Sequence, residues 1–125
     1  MNKILIVNDT PIINKMLKRG LETGGFSVDT VETGQEGIDK AANGAYDIIL
    51  LDYNLPDVNG DIICRTVKAD PHTATTPVYY ISSLDRDSIA TVIAQTGAQG
   101  TLDVAMDVEE LCGTITAILG GASHG

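Results

Sequence analysis

The sequence is poor in aromatic residues and in basic ones. It contains no Trp, one Phe and four Tyr, so its core must be built mainly from aliphatic side chains. It carries 8 Lys and Arg against 17 Asp and Glu, which gives a formal net charge of −9. A domain with this charge repels a phosphate backbone. We therefore expect no direct binding of nucleic acid.

Cysteines and long apolar runs are also scarce. Cys64 and Cys112 lie far apart in the sequence, and neither has a second Cys or a His at a spacing that would bind a metal. Two buried free thiols in a reducing compartment are the prediction. No apolar run approaches the roughly 20 residues that cross a bilayer. The first predicted strand begins almost at Met1, which leaves no room for a signal peptide. We expect a cytoplasmic protein without a membrane partner.

Strand and helix patterns alternate along the 125 residues without a linker or an internal repeat. Short apolar or alternating runs predict strands at residues 3–7, 26–31, 48–51, 77–82 and 100–103. Apolar residues at helical spacing predict helices at residues 11–23, 34–44, 60–69, 85–96 and 107–119. Short connections between five such pairs predict an α/β fold, a doubly wound parallel sheet with helices on both faces. We expect the flavodoxin-like (βα)₅ topology with strand order 2-1-3-4-5, formed by residues 1–120, and a flexible tail at 121–125.

Two helices have a predicted buried face. In the first helix the apolar residues at helical spacing are Ile12, Ile13, Met16, Leu17 and Leu21. In the third helix Ile62, Ile63 and Val67 are predicted to point to the core.

The most informative stretch begins at Tyr46 and ends at Gly60. Its apolar run from Ile48 to Leu51 is typical of a strand that is buried on both faces, and it ends in the carboxylate of Asp52. Ligands of open parallel sheets bind beyond the carboxyl ends of the strands, so Asp52 lies where chemistry is usually placed. The alternative is an Asp that only opens a turn.

The predicted strand order brings further polar residues to Asp52. Asn8 and Asp9 follow the first strand, across the switch point from Asp52, and Ser82 ends the fourth strand on the other side. Two ionised carboxylates side by side require a cation, and oxygen ligands with room for water favour Mg²⁺. A carboxylate is also a nucleophile toward phosphorus when a metal neutralises the charge on the phosphoryl oxygens.

These residues carry a resemblance to a known family. The chain resembles the receiver domains of two-component response regulators over essentially its whole length, and the Asp-x-x-Leu-Pro-x-x-x-Gly loop is the most specific part. The resemblance rests on Asn8-Asp9, on the run from Asp52 to Gly60, on Pro77 with Ser82, and on Gly97-Ala98.

The resemblance implies a phosphoacceptor that is not an enzyme beyond its own phosphorylation and dephosphorylation. A histidine kinase or a phosphotransfer protein would donate a phosphoryl group to Asp52. Asp9, Asp52 and the main-chain carbonyl of Asn54 would bind Mg²⁺, and the hydroxyl of Ser82 would move toward the phosphoryl group. No effector domain follows the last helix, so we expect a stand-alone receiver. It would signal by docking an output protein on the face formed by helix 4, strand 5 and helix 5, and a weak homodimer on that face is left open.

The sequence departs from the family at four positions. Asn8 replaces the first of two acids and would hold a metal-bound water instead of adding charge. Val104-Ala105 replaces the Lys-Pro pair after the fifth strand, which removes a charge-assisted hydrogen bond worth roughly 1.5–3 kcal/mol. Thr101 stands where receivers often place the aromatic switch residue, so the usual route from the site to the last two helices is incomplete.

Other functions compete with phosphorylation. The departures favour a pseudo-receiver, a protein–protein interaction module that works without phosphorylation. A small phosphatase is disfavoured because Tyr53-Asn54 follows Asp52, so no general acid stands two residues on. Flavin binding is disfavoured because the loop from Asn8 to Pro11 lacks the glycine and hydroxyl cluster that holds a phosphate.

Overall fold

Strands and helices alternate in the computed structural model. The structure describes residues 2–52, 55, 57, 60–81, 86–102 and 108–124. At residues 86–89, 92, 108 and 120–124 it describes the main chain alone. The strands are β1 (Lys3–Val7), β2 (Ser27–Val31), β3 (Ile48–Leu51), β4 (Val78–Ile81) and β5 (Gly100–Leu102). The helices are α1 (Pro11–Thr23), α2 (Gly34–Asn43), α3 (Gly60–Ala69), α4 (Arg86–Thr96) and α5 (Val108–His124).

All five strands form one parallel sheet in the order β2-β1-β3-β4-β5. The α/β class and the strand order predicted from the sequence are therefore confirmed. The strand β1 pairs with β2 on one side and with β3 on the other, and Val7 lies level with both Val31 and Leu51. The carboxyl ends of these three strands consequently meet at one edge of the sheet.

Side chains of the central strands alternate between two cores, which explains why residues 4–7 of β1 and all of β3 are apolar. All four residues of β3 are buried. One core lies between the sheet and helices α2 and α3, and its members include Leu5, Val7, Ala41, Ile49, Leu51, Ile63 and Val67. The other lies between the sheet and helices α1 and α5, and its members include Ile4, Ile6, Leu17, Leu21, Ile48, Leu50, Leu111 and Ile115.

Several element ends differ from the prediction. The strand β2 begins at Ser27 because the N–H of Phe26 donates to the carbonyl of Leu21, 3.1 Å away, instead of joining the ladder. The helix α5 continues to His124, five residues past the predicted end at Leu119, since no proline interrupts it. The predicted ends at residues 82, 85, 103 and 107 lie outside the described residues, and the flexibility of residues 121–125 stays a prediction.

Three apolar side chains were placed wrongly by helical spacing. Ile12 is 81% exposed, Met16 51% and Ile62 47%, so none of them belongs to the core. The buried residues of α1 are Asn14, Leu17 and Leu21, and α3 buries Cys64 together with Ile63 and Val67. Ile12 and Met16 lie on the flank of α1 that faces α5, where they and Cys112 line a groove of about 710 Å³.

Two further expectations concern thiols and membranes. Cys64 and Cys112 are both free; Cys64 is buried as predicted, but Cys112 is only half-buried because it also lines the groove between α1 and α5. Within the part of the chain that the structure describes, no helix combines the length and the apolar character that a bilayer span requires.

Candidate functional site

The end of β3 places Asp52 beside Asn8. The N–H of Asp52 donates to the carbonyl of Val7 at 2.8 Å, so the ladder between β1 and β3 continues one residue beyond the Val7–Leu51 pair. On the other side of β1 the N–H of Asn8 donates to the carbonyl of Val31 at 3.0 Å. Asn8 and Asp52 therefore end neighbouring strands at the same level, as the strand order predicts.

The carboxylates that follow β1 and β3 at this edge belong to Asp9 and Asp52. Asp9 directly follows Asn8 and is exposed, whereas Asp52 is half-buried. Among the described residues, no group of three or more His, Cys, Asp and Glu side chains could hold a metal ion. Two carboxylates nevertheless suit Mg²⁺, which binds proteins through one or two carboxylates and keeps several water ligands. The donor set at this edge thus fits Mg²⁺ better than zinc or a fully protein-enclosed calcium ion.

Asn8 is held in place by a residue that sequence analysis missed. The side-chain amide of Asn14 donates to the main-chain carbonyl of Asn8 at 2.6 Å, and the two residues are 4% and 5% exposed. Asn14 lies three residues before Leu17 and seven before Leu21, on the buried face of α1. The helical spacing of Asn14 from Leu17 and Leu21 was the signal in the sequence. A search for apolar residues at that spacing does not detect it, because Asn is polar. The bond fixes the end of β1 against the first turn of α1.

The loop after Asp52 is attached at two described points. Leu55 is 8% exposed and packs in the core beneath α2 and α3. Asp57 is exposed, yet its carboxylate oxygens accept hydrogen bonds from the N–H groups of Gly34, at 2.8 Å, and Gln35, at 3.0 Å. Sequence analysis missed this contact as well. The only signal was general: the first N–H groups of any helix need acceptors from outside it.

Thr101 and Tyr80 form a polar link between β4 and β5. The two residues are paired in the sheet, and the hydroxyl of Thr101 donates to the carbonyl of Tyr80 at 2.9 Å. The ring of Tyr80 is fully buried, and its hydroxyl lies 3.4 Å from the carbonyl oxygen of Gly60 and 3.3 Å from Oγ1 of Thr96. Burial raises the pKa of Tyr80 well above its ordinary value. The buried aromatic ring of this region is therefore on β4, between the start of α3 and the end of α4.

Among the predicted site residues, the structure places Asn8 and Asp52 at the same level of neighbouring strands, and Asp9 follows Asn8. Thr101 lies within β5, and its hydroxyl is bonded to the carbonyl of Tyr80 in β4. The remaining predicted site residues, Asn54, Ser82, Val104 and Ala105, lie outside the described residues, so their roles stay predictions.

The comparisons with known proteins define the class. The response regulator receiver domain matches residues 4–116, which is most of the chain, so the chain belongs to this family. The family assignment confirms the resemblance found in the sequence.

Individual relatives agree with this class. The chain is 35% identical over 119 residues to the response regulator ArlR of Staphylococcus aureus strain Mu50, a match that covers 95% of the chain. It spans about half of that relative, 53% of its length.

Solved structures have the same fold. The chemotaxis protein CheY4 of Vibrio cholerae is 27% identical with a TM-score of 0.87, over 93% of this chain and 97% of that one. The receiver domain of the sensor histidine kinase PA1611 of Pseudomonas aeruginosa is 24% identical with a TM-score of 0.87, over 95% and 98% of the two chains. That receiver was solved with a magnesium ion coordinated in its active-site cleft. At this identity it supports the fold alone.

Proposed function

We propose that this receiver domain accepts a phosphoryl group on Asp52 in a Mg²⁺-dependent reaction of two-component signalling. The observation that carries the proposal is the position of Asp52, held by the Val7 carbonyl at the end of the buried strand β3 and level with Asn8. Among the described residues, no other carboxylate directly follows a strand with all its residues buried.

The chemistry follows from what the residues at this edge can do. One carboxylate oxygen of Asp52 attacks the phosphorus of the donor, a phosphorus–oxygen bond forms, and the bond from phosphorus to the donor's leaving atom breaks. Asp9, Asp52 and the main-chain carbonyl of Asn54 are the groups that would hold Mg²⁺. A bound Mg²⁺ ion would neutralise charge on the phosphoryl oxygens.

The other site residues have supporting roles in this proposal. Asn8 would hold a metal-bound water, and the hydroxyl of Ser82 would bind a phosphoryl oxygen. The net charge of −9 repels anionic donors. A metal at the carboxylates is therefore needed for donor binding as well as for the reaction.

The proposed donor is a histidine kinase or a phosphotransfer protein, and the proposed output is a protein that docks on α4, β5 and α5. We place the chain in the cytoplasm, where a reducing environment suits the free thiols Cys64 and Cys112. Its match to about half of ArlR leaves stand-alone operation a prediction.

A phosphorylation assay tests the proposal. Wild type incubated with Mg²⁺ and acetyl phosphate should acquire a phosphoryl adduct that base and hydroxylamine remove. Asp52→Asn should acquire none, and Asp9→Asn should react more slowly because it lacks a metal ligand. Asp39→Asn is the control, since Asp39 is an exposed residue of α2 that follows neither β1 nor β3. Equal absence of the adduct in wild type and Asp52→Asn at saturating donor and Mg²⁺ would overturn the proposal.

A second function, the phosphorylation-independent interaction module, is favoured by one specific observation. The hydroxyl of Thr101 is bonded within the sheet to the carbonyl of Tyr80, so it offers neither the ring nor the free rotation of an aromatic switch residue. Titration with Mg²⁺ monitored by tyrosine fluorescence separates the two functions, because Tyr53 adjoins Asp52 in the sequence. A wild type that does not respond at millimolar Mg²⁺ would favour the interaction module.

A further inference from the structure

The carboxylate of Asp57 connects the loop after β3 to a helix that follows a different strand. Its oxygens accept from the N–H groups of Gly34 and Gln35, which are 23 and 22 residues away in the sequence. These are the first two residues of α2, and α2 follows β2 at the edge of the sheet. The contact therefore joins the loop after β3 to the start of α2, a helix that packs against Val7 of β1.

The contact completes the hydrogen bonding at the start of α2. The N–H of Glu36 donates to the hydroxyl of Thr33 at 3.2 Å, and the N–H of Gly37 donates to the carbonyl of Thr33 at 3.1 Å. Thr33 thus serves the third and fourth donors of the helix, and Asp57 serves the first two. A carboxylate is also favoured here because the start of a helix carries a partial positive charge.

The same contact attaches a second described residue of the loop to the rest of the fold. Leu55 fixes the loop to the core, and two residues later Asp57 fixes it to α2. Asp52 is three residues before Leu55, and its carboxylate must hold its geometry while a cation and a phosphoryl group bind. A side chain that orients a metal-binding carboxylate from outside the metal's own ligands commonly changes affinity when it is removed.

We propose that Asp57 is a positioning residue of the Asp52 site: by binding the N–H groups of Gly34 and Gln35, it holds the loop in the arrangement that binds Mg²⁺. The inference rests on the proposed function of Asp52. It adds a residue that neither reacts nor binds the metal, and it makes the start of α2 part of the support of the site.

The test compares Asp57→Ala and Asp57→Asn with Thr33→Ala in the full chain. Thr33→Ala is the matched control because it removes the other side-chain acceptor at the same helix start and leaves the loop contact in place. Four quantities are measured: Mg²⁺ affinity, the phosphorylation rate at saturating Mg²⁺, amide hydrogen exchange of residues 34–36, and thermal unfolding.

Asp57→Ala should weaken Mg²⁺ binding by about tenfold, the lower end of the range for such supporting residues because Asp57 is exposed. Its phosphorylation rate at saturating Mg²⁺ should change less, and the amides of Gly34 and Gln35 should exchange faster. Asp57→Asn keeps one acceptor oxygen and should lie between Asp57→Ala and wild type. Thr33→Ala should speed exchange at Glu36 and leave Mg²⁺ affinity within about twofold of wild type.

The outcomes separate this inference from the proposed function. If wild type binds Mg²⁺ and is phosphorylated while Asp57→Ala binds Mg²⁺ equally well, the inference is overturned and the proposed function stands. An equal loss of affinity in Thr33→Ala and Asp57→Ala also overturns it, because the effect would then come from helix stability. A wild type that neither binds Mg²⁺ nor is phosphorylated overturns both.

Discussion

The side-chain amide of Asn14 lies 2.6 Å from the main-chain carbonyl oxygen of Asn8, and both residues are almost completely buried. The bond joins the end of β1 to the first turns of α1. It occupies a position on the buried face of α1 where an apolar residue would otherwise pack. A polar side chain at this place is explained by the carbonyl that it satisfies, since a buried main-chain oxygen without a donor is costly.

Replacement of Asn14 by Ala should destabilise the fold by about 2 kcal/mol, because the carbonyl of Asn8 loses its donor in a buried place. The free energy of unfolding in urea measures the effect. Asn43→Ala is the control: its amide makes the same type of bond, to the carbonyl of Asp39 at 2.8 Å, but it is exposed. Its cost should stay below about 0.5 kcal/mol. Equal losses of unfolding free energy in the two variants would show that the buried hydrogen bond stabilises the fold no more than the exposed one.

The fold was largely predictable because local signals agreed with the topology. The four-residue run of β3 predicted a strand buried on both faces, and the structure buries every residue of it. The buried face of each helix was less predictable, because the hydrophobicity of its residues does not show how much of the helix surface the sheet covers. Ile12 and Met16 share a side of α1 that the sheet does not cover, whereas Asn14 lies on the covered side.

The candidate site was predictable where it follows from strand order alone. Asn8 and Asp52 end at the same level because β1 and β3 are neighbours, and Asp9 follows Asn8. The contact of Asp57 with Gly34 was not predictable, because it depends on the path of a loop and on where a distant helix begins. The ring of Tyr80 gave no signal either, since an aromatic residue in an apolar strand is ordinary core.

A pair of helical glycines should respond in opposite ways to alanine. A Cβ on Gly37 would lie 2.8 and 2.9 Å from the two methyl carbons of Val7, which is fully buried in β1. Gly37→Ala should therefore destabilise the fold by about 1–3 kcal/mol. A Cβ on Gly113 in α5 would meet nothing within 4 Å, so Gly113→Ala should stabilise the fold by about 0.5–1 kcal/mol through helix propensity. Thermal and urea unfolding measure both, and a loss of stability in Gly113→Ala would contradict the prediction.

Alkaline pH should destabilise the fold through Tyr80. Its pKa is raised by burial above the ordinary value of 10.0, so the folded state keeps the phenol protonated while the unfolded chain ionises. The resulting contribution to stability is fully present below about pH 10 and is lost as the pH rises from there toward the folded pKa. Tyr80→Phe lacks this proton, so its free energy of unfolding should fall less steeply with pH above pH 10. The slope of the variant should be smaller than that of wild type by about 1.4 kcal/mol per pH unit.

A second tyrosine provides the comparison for this pH effect. Burial and a 2.6 Å hydrogen bond to Asp29 also raise the pKa of Tyr46. Tyr46→Phe, like Tyr80→Phe, should reduce the loss of unfolding free energy per pH unit above pH 10. The double variant should reduce it by the sum of the two effects. Urea unfolding at a series of pH values gives the slopes, and near-ultraviolet phenolate absorbance follows ionisation. If Tyr80 ionises in the folded protein near pH 10, the predicted difference in slope will be absent.

Asn8→Asp should lower the stability of the metal-free protein and raise its affinity for Mg²⁺. Asn8 is 5% exposed and ends β1 level with Asp52, so Asn8→Asp would place a third carboxylate beside Asp9 and Asp52. Without metal, desolvation and repulsion should cost about 1–3 kcal/mol. Mg²⁺ should offset this cost and stabilise the variant more than it stabilises wild type, because the added charge lowers the dissociation constant. Urea unfolding with and without Mg²⁺ gives both values.

The matched control for Asn8→Asp is Asn2→Asp, which adds the same charge at the opposite end of β1. Asn2 is exposed and directly precedes the strand, so its carboxylate would lie a full strand length from Asp52. Its response to Mg²⁺ should equal that of wild type. If Asn8→Asp gained no more from Mg²⁺ than Asn2→Asp, the carboxyl end of β1 would not contribute to a metal site. A larger gain in Asn8→Asp alone locates the metal at Asp9 and Asp52, because only a charge within a few ångströms of the ion changes its affinity strongly in water.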